Sequence, residues 1–298
     1  MTPKVTGTVT GSDADAMPSY PLLSAIRALP PAGDAERVPI ALERWREAGT
    51  RGGPETDAFA RELAADPTGA ALLAAIFGNS PFLTEGLLSD IEAARALTLQ
   101  GPDRTFAEIL GGINDDLAAQ PTASVMAALR RAKRRAAITI AIADIADIWS
   151  LEQVTESLSA LAETALDTAA AHAVGLGCAG PGNPIDRDRL ADARAGLVIL
   201  GMGKLGAREL NYSSDIDLIV LYDEEHIAPS VRAAFGRGTA AQFYIRVVRN
   251  LVRLMEERTP DGYVFRTDLR LRPDPASTPA AVSVLAAESY YETVGQNW

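Results

Sequence analysis

The stretch GMGKLGARELNYSSDIDLIVLYD, residues 201–223, follows the short apolar run Leu197-Val-Ile-Leu200 and decides how the chain is to be read. Its opening, GMGKLG, matches the G-x-G-x-x-G dinucleotide fingerprint, and Asp223 stands about where a ribose-binding carboxylate would. A Rossmann unit, however, needs a crossover of a dozen or more residues before the next strand. Only residues 207–214 are available, and Asn211-Tyr-Ser-Ser214 is turn-like. The fingerprint also leaves the two aspartates of DIDLIVLY unexplained, so a Rossmann-type dinucleotide-binding protein is the weaker alternative. A P-loop fails outright: no glycine lies five residues before Gly203, and Leu205 follows Lys204.

The run 215–222 has strand character. Side chains at i and i+2 of a strand share a face, so Asp215 and Asp217 project together while Ile216, Leu218 and Val220 turn to the opposite, apolar side. Their Cα atoms would stand ~6–7 Å apart. Carboxylates ~5 Å apart repel by roughly 3 kcal/mol at an effective dielectric near 20. A divalent cation shared with a substrate phosphate offsets that repulsion; the bland alternative is two solvated aspartates at a strand start. Context favours the first reading. Gly203 and Gly206 let backbone amides approach phosphate oxygens, Lys204 adds a charge, and Ser213-Ser214 precede the pair. Downstream, YVFRTDLRLR (263–272) alternates as a third strand and places Asp268 on one face with Arg266 and Arg270. Asp268 is read as a third carboxylate, the competing reading being a simple salt bridge to either arginine.

The rest of the chain narrows the chemistry. With 28 Lys and Arg against 39 Asp and Glu, the net charge is −11 over 298 residues, which gives no overall pull toward nucleic acid or anionic lipid. Cys178 is the lone cysteine, and His172 and His226 are the only histidines, too few for a closed zinc site of Cys and His ligands. A metal site would rest on carboxylates, favouring Mg2+ or Mn2+. No G-x-S-x-G nucleophile elbow is present. No secretory h-region opens the chain, and the apolar stretch 136–149 is interrupted by Asp144 and Asp147, so a cytoplasmic protein with no membrane partner is expected.

Three segments follow from composition: a frayed terminus (1–20), a helical region (21–188) and a small α/β unit (189–298) with a helix near 240–258. Helix breaks are expected at Pro30-Pro31, Gly52-Gly53-Pro54, Asn79-Ser80-Pro81, Gly101-Pro102 and Gln120-Pro121. The clearest helix starts after Ser150, which forms an S-x-x-Q capping box with Gln153. Residues 175–188 (GLGCAGPGNPIDRD) read as a Gly/Pro-rich linker. The basic cluster Arg130, Arg131, Lys133, Arg134 and Arg135 reads as a solvated helix face rather than a docking surface. Arg246, Arg249 and Arg253 share a helical face that either looks to the phosphate site or is simply exposed. Trp45 and Trp149 are expected in the core, and Cys178 is expected to be inert.

Residues 201–223 and 263–275 (YVFRTDLRLRPDP), with the closing SYYETVGQNW, resemble the signature of the glutamine synthetase adenylyltransferase/adenylyl-removing enzymes. That family belongs to the DNA polymerase β-like nucleotidyltransferases. The resemblance implies an α+β fold: a helical N-terminal region, then a polymerase β-like nucleotidyltransferase domain with a small mixed sheet. It makes Asp215, Asp217 and Asp268 the catalytic Mg2+ ligands. It assigns nucleotide and phosphate binding to Gly203, Lys204, Gly206, Ser213, Ser214 and Arg270. Lys204 stands where a small polar residue is common in the wider superfamily, and Ala207 and Ala276 stand where glycine is common.

Family enzymes carry two such domains, and the NYSSDIDL form resembles the N-terminal copy. By that resemblance the copy removes AMP from a glutamine synthetase tyrosine by phosphorolysis, releasing ADP, while the ATP-dependent C-terminal copy would be absent from a truncated product. Glutamine synthetase, the PII signal protein, phosphate and ATP or ADP are the implied partners. A catalytically inactive module that binds glutamine synthetase or PII is the alternative.

Overall fold

The computed structural model describes residues 20–180, 182–190, 194 and 196–294, so the expected frayed terminus lies almost wholly outside the described residues, as do the last four. The chain is α+β: a helical region, then a four-stranded mixed sheet with helices.

Ten helices come first: α1 (Pro21–Ala25), α2 (Arg37–Gly52), α3 (Pro54–Ala65), α4 (Pro67–Asn79), α5 (Pro81–Ser89), α6 (Ile91–Gln100), α7 (Pro102–Gly111), α8 (Asp115–Ala118), α9 (Thr122–Ile145) and α10 (Leu151–Ala179). The prolines read as breaks are mostly starts. Pro54, Pro81 and Pro102 each occupy the first turn, where a missing N–H costs nothing and φ is already helical. Asp66 and Ser80 cap the neighbouring amides. The Ser150–Gln153 capping box forms in both directions, at 3.3 and 2.9 Å.

Helix α9 is the spine between two cores. One side, with Ile138 and Ile142, packs into a helical core around Trp45, Leu73 and Phe77. The Trp45 indole is fully buried and donates to Ala60 O at 3.0 Å. The other side, with Ala136, Ile140 and Ala143, joins α10 and the sheet in a second core that also buries Trp149.

The expected linker begins too early. Residues 175–179 continue α10, which ends only at Gly180 in a left-handed conformation (φ 75°). The reason is packing. A Cβ on Gly177 would lie 2.7 Å from the Phe243 ring, so its smallness lets α10 press against the helix that follows the sheet's central strand. Cys178 is therefore helical and partly buried, and burial raises its thiol pKa, consistent with an inert side chain.

The α/β unit contains β1 (Leu197–Gly201), α11 (Gly203–Gly206), β2 (Ile216–Tyr222), α12 (Pro229–Ala233), α13 (Ala240–Glu256), β3 (Thr267–Asp268), β4 (Val282–Ser283) and α14 (Val284–Thr293). Strand β2 is central. It pairs antiparallel with β1, while β3 and β4 pair parallel to its first and last residues. Ile216, Leu218, Val220 and Tyr222 enter the second core with Phe243, Val247 and Leu251 of α13. Ile219 and Leu221 face the other way, toward Val282 and Ala287. The antiparallel β1–β2 pairing and the four-residue α11 exclude the Rossmann alternative, which requires a parallel crossover. Asp223 instead caps the turn after β2, accepting from His226 at 2.7 Å.

The third strand is shorter than its alternation suggested. Only Thr267–Asp268 pair with β2. Before them, the Val264 amide donates to Met255 O; after them, the Asp268 carboxylate accepts from Arg270 N at 2.8 Å and turns the chain out of the ladder.

Candidate functional site

Parallel register places Asp217 directly opposite Asp268, so both side chains share one face of the sheet. Adjacent strands run about 4.8 Å apart, which sets the spacing of the two backbones. Asp215 lies just before β2 rather than within it, yet stays on that face by the same period of two. This is the face away from α13.

The turn 201–206 comes up beneath Asp217. Met202 N donates to Asp217 O at 2.9 Å, and Gly206 N closes the turn on Met202 O at 3.2 Å. Gly203 has φ 54°, and a Cβ there would stand 3.2 Å from Asp217 Oδ2. Gly203 therefore serves twice: it supplies the left-handed backbone, and it leaves open the space beside the carboxylate. Gly203→Ala should strain the turn by about 1–3 kcal/mol and crowd Asp217. The expected outcome is a Tm lowered by several degrees together with reduced turnover. A variant with wild-type Tm and turnover would show that the turn does not need glycine.

The neighbouring charges are arranged unevenly. Arg266 Nε donates to Asp215 and its Nη2 to Ser213 O at 3.0 Å. Arg270 grips Asp268 through both carboxylate oxygens, with Nε at 3.0 and 2.8 Å. The salt bridge weighed for Asp268 thus forms, and it forms beside Asp217 rather than away from it. The Arg270 bond holds the Asp268 carboxyl below its ordinary pKa. Asp217 has no such partner among the described residues. Burial first, then the charges of Asp268 and Asp215, push its pKa up, with Arg270 opposing. Ser213 (φ 58°) and Ser214 form the turn leading into the pair, with Ser214 N on Asn211 O at 3.2 Å. Lys204 is exposed on α11.

The donor set fits a hard divalent cation. Three carboxylates repel across one sheet face, and among the described residues the central one has no cation of its own. The described residues hold no preassembled group of three such ligands, and Arg266 and Arg270 occupy the Asp215 and Asp268 carboxylates.

Glu256 was not anticipated. At the end of α13 its Oε1 accepts from both Thr267 N and Thr267 Oγ1 at 2.6 Å, fixing the residue next to Asp268. Nothing in its spacing singled it out; the contact exists only once α13 is laid against β3. Arg246, Arg249 and Arg253 take the exposed alternative. They lie on the outer side of α13, opposite the aspartates, where Arg253 pairs with Glu257.

The basic cluster on α9 is a solvated face only in part: Arg131 and Arg135 are exposed, whereas Arg130 and Lys133 are drawn inward. Arg130 is 1% exposed and donates to Gly262 O at 2.9 Å, to Met126 O at 2.9 Å and to Glu257 O. Lys133 lies between the Phe82 and Tyr263 rings, 6.0 and 5.5 Å from their centroids. Both are drawn in by the segment 257–263, which has no sequence proximity to α9.

Comparison with known proteins decides the family. The profile described as glutamate-ammonia ligase adenylyltransferase matches residues 70–298. The chain belongs to that family. Among its relatives, bifunctional glutamine synthetase adenylyltransferase/adenylyl-removing enzymes from Rhizobium meliloti and Rhodopseudomonas palustris are 44% and 40% identical, across 82% and 87% of this chain. The counterpart from Xanthobacter autotrophicus is 38% identical across 96% of the chain. The chain spans 25% to 28% of the length of these curated relatives. For this adenylyltransferase-family chain, no helix among the described residues is long and apolar enough to cross a membrane.

Proposed function

We propose that this chain is a Mg2+-dependent nucleotidyltransferase that removes AMP from an adenylylated tyrosine of glutamine synthetase by phosphorolysis. The observation that carries the reading is the sheet face on which Asp215, Asp217 and Asp268 meet above the Gly203 turn. Family membership and the names of the relatives support the substrate. The NYSSDIDL form of the motif supports the removing direction.

In this reading an oxygen of inorganic phosphate attacks the adenylyl phosphorus, the P–O bond to tyrosine breaks, and ADP leaves. The tyrosine recovers a proton from phosphate or solvent. Bound to Asp215, Asp217 and Asp268, Mg2+ would supply the Lewis acidity that offsets charge on the phosphoryl oxygens. Arg266 and Arg270 would release their carboxylates and turn to phosphate, a ligand that suits a planar guanidinium. Lys204 and the amides of 203–206 would border the same phosphates, and Ser213 and Ser214 would set the approach of Asp215.

The test mixes the chain with adenylylated glutamine synthetase, Mg2+ and phosphate and measures ADP. Phosphate-dependent ADP release that EDTA stops is the expected result. Release of AMP without phosphate, or no release at all from folded protein, would overturn the reading.

A further inference from the structure

Between the helical region and the sheet lies a cleft of about 670 Å3 that shares Ser213, Ser214 and Arg266 with the site described above and otherwise extends beyond it. Its rim at one end is Arg266, the residue that holds Asp215, and Ser213, so the cleft runs directly into the carboxylate face. There Tyr212 donates to Asp144 at 3.1 Å. At the other end Lys133 lies against the Phe82 and Tyr263 rings. Its floor is apolar, from α9 and α10.

Lys133 differs from its neighbours Arg134 and Arg135. Arg134 and Arg135 reach Asp261 and Asp90, but no carboxylate pairs with Lys133 among the described residues. Burial accordingly lowers its pKa. A cation set into an apolar cleft without a counter-ion is costly unless something anionic arrives. Lys133 and Asp144 are eleven residues apart on one helix, about 16 Å. Roughly five extended residues cover that span. Tyr263 and Arg266 are separated by up to about 10 Å.

We propose that this cleft receives an extended segment of the protein substrate, with apolar side chains on its floor and an acidic side chain at Lys133. The segment's modified tyrosine reaches the carboxylate face past Arg266, which places the acid about three to five residues from that tyrosine. The proposal rests on the phosphorolysis reading for the tyrosine but not for the cleft itself. Phe82, 59% exposed, extends the apolar lining of the cleft to its mouth, and it is this continuity that suits an apolar segment.

The probe is a labelled twelve-residue peptide with a central tyrosine and a glutamate four residues away, read by fluorescence anisotropy with the whole chain. Replacing that glutamate by glutamine should weaken binding about tenfold, and replacing it by lysine should weaken it further. Lys133→Glu should reverse the preference, so that the lysine peptide binds better than the glutamate peptide. Phe82→Ala, at an exposed site that leaves the cores intact, should weaken both peptides equally. If Lys133→Glu does not fold, the peptide changes and Phe82→Ala carry the test. Binding indifferent to the peptide's charge, or displacement of the peptide by AMP alone, would overturn the proposal, the latter by making the cleft a nucleoside site. ADP release by the wild-type chain with charge-indifferent peptide binding would sink the cleft proposal alone. Charge-dependent binding without ADP release would sink the phosphorolysis reading and leave the cleft proposal standing.

Discussion

Asp217→Asn should abolish turnover while leaving the fold as stable as before, or more so. Asp217 is the central carboxylate, opposite Asp268 and above the Gly203 turn, and it has no cation of its own among the described residues. Loss of one ligand charge at such a site costs several kcal/mol of transition-state stabilisation, and ~4 kcal/mol is a factor of about 10³ in rate. Its effect on stability has the opposite sign. The Asp217 pKa is raised in the fold by burial and by two like charges. The ionised form is therefore a liability above that raised value, relieved as the pH falls through it, and asparagine removes the liability at every pH. Asp268→Asn should lose activity comparably but behave differently in melting. Its pKa is lowered by Arg270, so its contribution is present above the ordinary aspartate range and lost as pH falls through the depressed value. Because Arg270 is largely exposed, the pair is worth about 0–1 kcal/mol. Parallel ADP-release assays and melting curves at pH 7 check both. A loss of activity in Asp217→Asn accompanied by a lower Tm would mean that the carboxylate is structural.

Arg130→Met should cost about 3 kcal/mol, since the residue is 1% exposed and hydrogen bonds from a charged donor are worth roughly 1.5–3 kcal/mol each. The guanidinium links α9 to Glu257 O at the end of α13 and to Gly262 O in the segment leading to β3. Its loss would leave Gly262 O with the Thr259 amide at 3.0 Å, would take the guanidinium from Glu257 O, and would loosen the approach to Asp268. Arg130→Lys should fail to restore stability, because a single ammonium cannot reproduce a planar fork. Urea unfolding of both variants is the measurement. A cost below about 1 kcal/mol for Arg130→Met would show that the clamp is dispensable.

The two predictions divide along a line that also separates sequence from tertiary structure. Asp215 and Asp217 could be found because strand geometry has a period of two, because a glycine-rich turn lies upstream, and because a serine pair stands immediately before them. The same local rules marked the capping box at Ser150 and the apolar inner face of β2, since each depends on neighbours a few residues apart. Resemblance in two long motifs named the family, and the matching profile bears that out.

Local rules failed where the deciding partner is distant in the chain. The alternation of 263–272 predicted a long strand, but Met255 and the Asp268 side chain claim the backbone on either side of Thr267–Asp268. Glycines 175 and 177 read as a linker because their packing against Ile185 and Phe243 is invisible without the fold. The run Arg130 to Arg135 read as a solvated face because a charge run usually is one. The sequence alone determined the α+β class, the pair of aspartates and the family. Only the tertiary structure decided that Asp268 sits opposite Asp217, that Arg130 is a clamp and that Lys133 lies against two aromatic rings in a cleft, because each depends on segments about 50 to 130 residues apart being brought into contact.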